Sequence, residues 1–162
     1  LDLVQRLARV RRAPFFRRTN LTLLGELIRE QRIERLLPGD TLWQCGDPIE
    51  QLALVIDGHF RSTGTEAPCD APAGAVLGAL EILSEDERRE GWSATAPSRV
   101  LGVARDVFID RLEDHSEFAL DYLGYCSRAA TDAWRLGVEM RRRDRSEGVE
   151  QSPPVHPAQA AP

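Results

Sequence analysis

The chain of 162 residues contains no lysine, one methionine, three cysteines and few aromatic residues, which make up 6% of it. No stretch of about 18 residues is apolar and uncharged, so we expect no transmembrane helix. Residues 1–12 carry four arginines and lack the apolar core and cleavage site of a secretory signal. Because about 100–200 residues form a typical domain, the length predicts one globular domain.

The cysteines Cys45, Cys69 and Cys126 are odd in number and have no CxxC spacing. This pattern fits a reducing compartment, for which the cytoplasm is the default, and it disfavours a disulfide framework or a cysteine-based zinc site.

Enzymatic motifs are also missing. A metal-dependent barrel of the cupin type needs clustered histidines and a carboxylate, but His59, His115 and His156 lie in three separate parts of the chain. Neither a Gly-x-Ser-x-Gly motif nor a Walker-type phosphate loop is present. We therefore expect no catalytic residues, no metal, no cofactor and no enzymatic activity.

Charge is distributed unevenly along the chain. Residues 1–36 carry a net charge of +5, residues 37–136 carry −10, and the remainder is neutral. Domains that bind nucleic acids usually present a basic face. Since the main body is acidic, we expect no direct binding of nucleic acid by this chain.

Two helical regions are predicted to flank a strand-rich middle. Asn20 is a suitable N-cap, and Leu21, Leu24 and Ile28 recur at helical spacing. Between 32 and 104, short runs separated by turn residues recur at roughly 8–12 residues, which is typical of a β-sandwich or β-roll. The predicted strands cover 33–36, 41–44, 52–56 and 100–103. We predict a mainly β fold with flanking helices: a double-stranded antiparallel, jelly-roll-like β-roll with N-terminal helices and a long C-terminal helix.

The boundaries follow from these patterns. Residues 1–20 are expected to form an N-terminal arm or helix, and 21–143 one domain, with the β-roll at about 32–104 and helices at 106–143. Proline and small polar residues dominate the remainder, which cannot bury enough apolar surface to order itself. The segment 144–162 is therefore predicted to be a disordered tail or linker.

The last helix carries a stripe that would face another helix. Small residues beside it would allow a close approach, so a homodimer through this helix is one candidate. The stripe consists of Leu120, Leu123, Ser127, Ala130, Trp134 and Gly137.

Four landmarks occur in order along the middle of the chain. They are Leu37-Pro38-Gly39-Asp40, Gly46-Asp47-Pro48, Val55-Ile56-Asp57-Gly58, and Ala73-Gly74-Ala75-Val76-Leu77-Gly78 running into Ala94 and Val100-Leu101. In this order and spacing they resemble the cyclic-nucleotide-binding domain family, which includes the bacterial catabolite activator and the regulatory subunits of cyclic-AMP-dependent kinase. The resemblance covers about 120 residues and implies a regulatory module whose ligand is cyclic AMP or cyclic GMP.

The resemblance also implies a ligand cassette. In the family, a Gly-Glu pair begins a short helix whose backbone N–H groups bind the cyclic phosphate, and an arginine about ten residues later binds it too. The matching positions here are Gly78, Ala79 and Leu80 for the backbone and Arg88 for the side chain. A register one residue longer selects Arg89 instead.

The cassette departs from the family pattern. Ala79 replaces the glutamate that accepts the ribose hydroxyl. Glu81, two positions further along the short helix, would point roughly 200° away and is a poor substitute. The acids Glu85, Asp86, Glu87 and Glu90 surround the two arginines in sequence and could neutralise them.

The three tryptophans are expected mainly to pack. Trp43 and Trp92 are assigned to the interior of the roll. Trp134 lies where family members cover the purine, so a base cap is the alternative to packing there.

Three hypotheses follow. The first is a sensing module that binds a cyclic nucleotide through Arg88 and passes the signal to an attached effector domain or a partner. The second is a degenerate domain that binds no nucleotide and serves oligomerisation or assembly. The third is the sensor half of a transcription regulator, without the DNA-binding part.

Overall fold

The computed structural model describes residues 3–11, 13–16, 19–29, 31–84 and 86–150. Its contacts divide the chain into two compact units, Leu1–Tyr125 and Cys126–Pro162. The helical elements are α1 (Leu3–Val10), a 3-10 turn (Pro14–Phe16), α2 (Leu21–Arg29), α3 (Arg105–Asp114) and α4 (Ser116–Glu150).

Eight short strands form two four-stranded antiparallel sheets. The strands are β1 (Ile33–Leu36), β2 (Thr41–Trp43), β3 (Gln51–Asp57), β4 (His59–Thr63), β5 (Asp70–Pro72), β6 (Val76–Leu77), β7 (Gly91–Ala94) and β8 (Ser98–Ala104). The first sheet has the order β1-β8-β3-β6 and the second β2-β7-β4-β5. The predicted fold class, an antiparallel β-roll with flanking helices and a long last helix, is confirmed.

The core of the roll lies between the two sheets. In β3, Ala53 and Val55 face the opposing sheet, and the alternate residues Leu52, Leu54 and Ile56 are buried on the other face, where α1 packs. The predicted interior positions of the two strand tryptophans are confirmed. The buried residues of this core are Leu36, Trp43, Ala53, Val55, Phe60, Ala71, Leu77, Trp92, Ala94 and Val100.

A second cluster, of aromatic rings, joins the helices of the first unit. Phe15 lies 6.1 Å from Phe108 and 6.1 Å from Phe118, measured between ring centroids. It also contacts Tyr122 and Tyr125 at 5.8 and 5.0 Å, mostly with edge-to-face geometry. The 3-10 turn, α3 and the start of α4 are thereby held together.

Asn20 caps α2 as predicted, because its Oδ1 accepts a hydrogen bond from the N–H of Thr22 at 2.7 Å. The buried residues of this helix include Leu24 and Ile28, whereas Leu21 lies about a quarter turn away from their stripe and is 58% exposed.

The structure differs from the sequence expectations at two places. The helix expected to end at 143 continues to Glu150; the rest of the expected tail, 151–162, lies outside the described residues. The strands β4 to β7 were not predicted. Two of them, β5 and β6, are too short to show an alternation of apolar and polar residues. They form because β5 pairs with β4 and β6 pairs with β3.

Asp57, at the end of β3, connects the first sheet to α1. Its carboxylate accepts hydrogen bonds from Nε of Arg99 at 2.8 Å and from Nη1 of Arg9 at 3.1 Å. The Arg99 hydrogen bond, together with the charges of both arginines, lowers the pKa of Asp57 below its ordinary value of 3.8, although burial opposes this.

We predict that Asp57→Asn lowers the free energy of unfolding at pH 7 by about 1 kcal/mol, because both arginines lose a charged partner. A lowered carboxyl pKa stabilises the fold above pH 3.8, and this stability is lost as the pH falls through the folded-state pKa. Urea unfolding of the two proteins should therefore differ at pH 7 and converge below pH 3.8. Asp70→Asn, on β5, is the control; a loss for Asp57→Asn that is equal at both pH values contradicts the prediction.

Candidate functional site

The segment that follows β6 begins with Gly78, whose φ of +75° is a conformation that glycine adopts without steric cost. Two successive turns follow: the N–H of Glu81 donates to the carbonyl of Gly78 at 3.3 Å, and that of Ser84 donates to the carbonyl of Glu81 at 2.8 Å. The segment contains no α-helix. The short helix implied by the family resemblance, whose N-terminus would include Gly78, Ala79 and Leu80, is therefore replaced by turns.

A cavity of about 750 Å³ opens beside this segment. Gly78, Ala79 and Leu80 all line it, as do apolar side chains from both sheets, the 3-10 turn and the start of α4. A cavity of this volume is in the range that holds small organic ligands. The large apolar lining residues are Phe15, Ile49, Val76, Leu77, Leu80, Trp92 and Tyr125.

The polar lining of the cavity is predominantly acidic. Five carboxylates line it, and Arg89 is the single basic residue among its described lining residues. The Arg89 side chain is 84% exposed, with its Nη2 3.9 Å from an Oδ2 of Asp86. An anionic ligand would therefore meet a negatively charged wall. The five carboxylates belong to Asp70, Glu81, Asp86, Glu87 and Glu90.

Arg88 lies beside Gly78 but is not among the residues that line the cavity. It is only 2% exposed. Its Nη1 donates to Oε1 of Glu81 at 2.7 Å, its Nη2 donates to the carbonyl of Gln51, and its guanidinium carbon lies 3.9 Å from the centre of the Trp43 ring. The guanidinium is thus held by a carboxylate, a carbonyl and an aromatic face.

One of the sequence landmarks holds the backbone of Arg88. The N–H of Arg88 donates to the carbonyl of Asp47 at 2.8 Å, and the N–H of Gly46 donates to the carbonyl of Arg88 at 2.9 Å. Pro48 pairs with Glu87 in an isolated bridge. The Gly46-Asp47-Pro48 turn therefore fixes the position from which the arginine side chain extends.

The structure brings Arg88 and Gly78 together, as the family resemblance implied. A Cβ added to Gly78 would lie 2.5 Å from Nη1 of Arg88. Arg89, the alternative of the longer register, is on the surface. Trp134 belongs to the second unit and is 69% exposed, and its suggested role as a base cap stays a prediction.

Sequence reasoning did not identify the acid that binds Arg88. It pointed to acids adjacent to the arginines, among which Glu85 lies outside the described residues, whereas the observed partner is Glu81. The helical geometry assumed for 78–83 obscured this pairing. No local pattern could have identified Trp43 or Gln51 as the other partners, because they come from different strands.

Glu90 is the half-buried acid of the cavity. Burial raises its pKa above the ordinary value, the nearby charge of Glu81 raises it further, and a hydrogen bond with Ser62 opposes both effects. The raised pKa thus reflects mainly the burial of this carboxyl group and, to a smaller extent, the charge of Glu81.

A hydrogen bond connects the Gly78 segment to α4. The hydroxyl of Tyr122 donates to the carbonyl of Ala79 at 3.0 Å, and both groups are buried. Tyr125, one turn further along α4, lines the cavity. This hydrogen bond therefore couples the position of the segment to that of the start of α4.

In the part of the chain that the structure describes, no three His, Cys, Asp or Glu side chains are grouped so that they could hold a metal ion. None of the described helices has the length and apolar character needed to cross a membrane.

Solved structures provide the comparison with known proteins. The sensor domain of the transcriptional regulator DNR from Pseudomonas aeruginosa is 16% identical, with a TM-score of 0.69 over 83% of this chain and 95% of that one. Catabolite Activator Protein from Thermus thermophilus is 17% identical, with a TM-score of 0.68 over 80% of this chain and 63% of that one, so this chain spans less than two thirds of that protein. A Geobacter metallireducens protein, provisionally assigned as cyclic-nucleotide-binding, is 16% identical, with a TM-score of 0.67 over 77% of this chain and 95% of that one.

No family model matches the sequence, and no curated protein does. The structural neighbours show that the chain has the fold of cyclic-nucleotide-binding domains. At 16–17% identity, these neighbours bear on the fold of the chain.

We predict that Gly78→Ala destabilises the fold more than Gly74→Ala. Both glycines have a positive φ, so both variants lose about 1–2 kcal/mol to backbone strain. A methyl group at 74 enters open space, whereas one at 78 displaces the guanidinium of Arg88 from Glu81. Urea unfolding should show an additional loss of about 1 kcal/mol or more for Gly78→Ala. Equal losses would mean that Arg88 is not held in the observed position.

Proposed function

We propose that this domain is a non-enzymatic regulatory module that binds a cyclic nucleoside monophosphate weakly in the cavity beside Gly78 and relays its binding to α4. The observation that carries the proposal is the position of Arg88 against the Gly78 turn, in a fold shared with nucleotide-binding regulators. The nucleotide would lie along the turns of segment 78–84, which line the cavity.

The affinity is expected to be low for a structural reason. Ala79 supplies no carboxylate for the ribose, and Glu81 already binds the arginine that the phosphate needs. The loss of one hydrogen bond to a charged group costs about 1.5–3 kcal/mol, which is roughly a ten- to hundredfold decrease in affinity.

The proposed relay begins at Ala79. A phosphate bound at the turn would shift the segment, and the hydrogen bond to Tyr122 would carry this shift to the first turns of α4. Ligand binding would then favour one of two arrangements of this helix start, and so of an effector domain or partner attached to it. If the chain is the sensor half of a transcription regulator, the attached domain would be the DNA-binding part.

We predict that millimolar cyclic AMP or cyclic GMP raises the melting temperature of the domain, because a ligand at 100 times its Kd adds about 2.7 kcal/mol of stability. Arg88→Gln should abolish the rise, whereas Arg89→Gln, which changes an exposed arginine, should preserve it. Circular dichroism would confirm that each variant is folded. The absence of any shift in the wild-type protein would contradict the proposal, and loss of the shift in Arg89→Gln alone would assign the site to the longer register.

A second candidate function is assembly through α4. Among the side chains of this helix that the structure describes, five large apolar ones are exposed, which favours contact with another apolar surface. They are Leu120, Leu123, Trp134, Leu136 and Met140. Leu120, Leu123 and Trp134 belong to the stripe that the sequence pattern suggested for a homodimer, and a second copy of the chain would cover them there, whereas Leu136 and Met140 lie on the opposite face of the helix.

We predict that the protein self-associates with increasing concentration in sedimentation-velocity experiments, and that Leu123→Ser combined with Trp134→Ser shifts it toward the monomer. Both substitutions remove apolar area that the dimer would bury. Leu37→Ser removes a comparably exposed leucine from outside α4 and should leave the association unchanged. A wild-type protein that is monomeric at all concentrations would exclude this function.

A further inference from the structure

Glu81 lies between the guanidinium of Arg88 and the cavity. Its carboxylate binds Nη1 of Arg88 at 2.7 Å, and the same residue lines the cavity, whereas Arg88 does not. The carboxylate therefore separates the guanidinium from the space in which a ligand would lie.

We propose that Glu81 is an internal counter-anion that competes with anionic ligands for Arg88 and so determines which ligands the cavity accepts. This inference rests on the proposed function only for the location of the ligand. With Glu81 in place, a phosphate must displace a carboxylate that is already bound. With Glu81 removed, the guanidinium becomes an open site for an anion such as a phosphate.

The two partners differ in their freedom to move. Arg88 is fixed by backbone hydrogen bonds to Gly46 and Asp47, and its side chain is packed on Trp43. Glu81 lies in a segment of turns, and its side chain is 21% exposed. Exchange of ligands at the arginine therefore requires movement of the glutamate and leaves the arginine in position.

The hydrogen bonding of Arg88 is incomplete, which is consistent with a group that can accept a further partner. Among the described residues, its Nε has no hydrogen-bond partner although the atom is buried. A buried cation with an unsatisfied donor is costly. Without the carboxylate of Glu81, the domain would gain stability by taking up an anion from solution.

The other acids of the cavity wall have different contacts. Asp86 lies near Arg89, Glu87 is exposed beside Pro48, and Glu90 hydrogen-bonds with Ser62. They contribute negative charge to the cavity without occupying the guanidinium. Glu87→Gln thus makes the same change in charge at the same cavity wall and is a matched control for Glu81→Gln.

The experiment compares the wild-type protein, Glu81→Gln, Glu81→Asp and Glu87→Gln. Melting temperatures are measured in sodium chloride and in sodium phosphate of equal ionic strength, and cyclic AMP binding is measured by calorimetry. Glu81→Gln should melt at a lower temperature than the wild type in chloride and recover selectively in phosphate. Its affinity for cyclic AMP should exceed that of the wild type at least tenfold, that of Glu81→Asp should lie between the two, and that of Glu87→Gln should stay within threefold of the wild type.

The two measurements, melting temperature and cyclic AMP affinity, test this inference and the proposed function separately. If the wild type and Glu81→Gln bind cyclic AMP equally, the competition is refuted and the sensing function stands. If phosphate stabilises Glu81→Gln alone while cyclic AMP binds no variant, the counter-anion role stands and the cyclic-nucleotide function fails. The inference would be overturned if Glu81→Gln and Glu87→Gln gained affinity for cyclic AMP to a similar extent. It would also be overturned if neither phosphate nor cyclic AMP had any effect on Glu81→Gln. Should Glu81→Gln not fold, Glu81→Asp provides the same comparison.

Discussion

The buried guanidinium of Arg88 is the group around which the candidate site is organised. A cation in the protein interior is unfavourable unless charges and hydrogen bonds compensate for the lost water. Here the compensation comes from Glu81 in the turns after β6, from the carbonyl of Gln51 at the start of β3, and from the ring of Trp43 in β2. Three separate segments therefore depend on one side chain for their mutual position.

Gly78 is also needed to accommodate the buried guanidinium of Arg88. Its positive φ ends β6 and begins the turns, and its missing side chain leaves the space that the guanidinium occupies. A larger residue would have to move an arginine that is already bound on three sides. Conformation and packing thus require glycine at this position for two independent reasons.

The charges that line the cavity bear on which ligand the proposed site could accept. The fold supplies a turn, an arginine and an apolar cavity, but ligand choice depends on the charges that line the cavity. Four further carboxylates beside Glu81 give the wall a negative character, and the charge of Glu81 adds to the effect of burial in raising the pKa of Glu90. Ligand charge is therefore expected to matter as much as ligand shape.

The sequence determined those features that depend on residues close together in the chain. The pairing of Gly78 with Arg88 was implied only by the resemblance of the four landmarks to a known family, whereas turn glycines and prolines at regular spacing predicted the β-roll and Asn20 predicted a helix start. These signals are local, because a positive φ, an N-cap or a short turn is decided by a few neighbouring residues. Only the tertiary structure decided that Glu81 binds Arg88, that Trp43 and Gln51 complete its surroundings, and that Tyr122 reaches Ala79. Charge pairing and ring contacts act between atoms that folding brings together, so residues distant in the chain can become partners without leaving a pattern in the sequence.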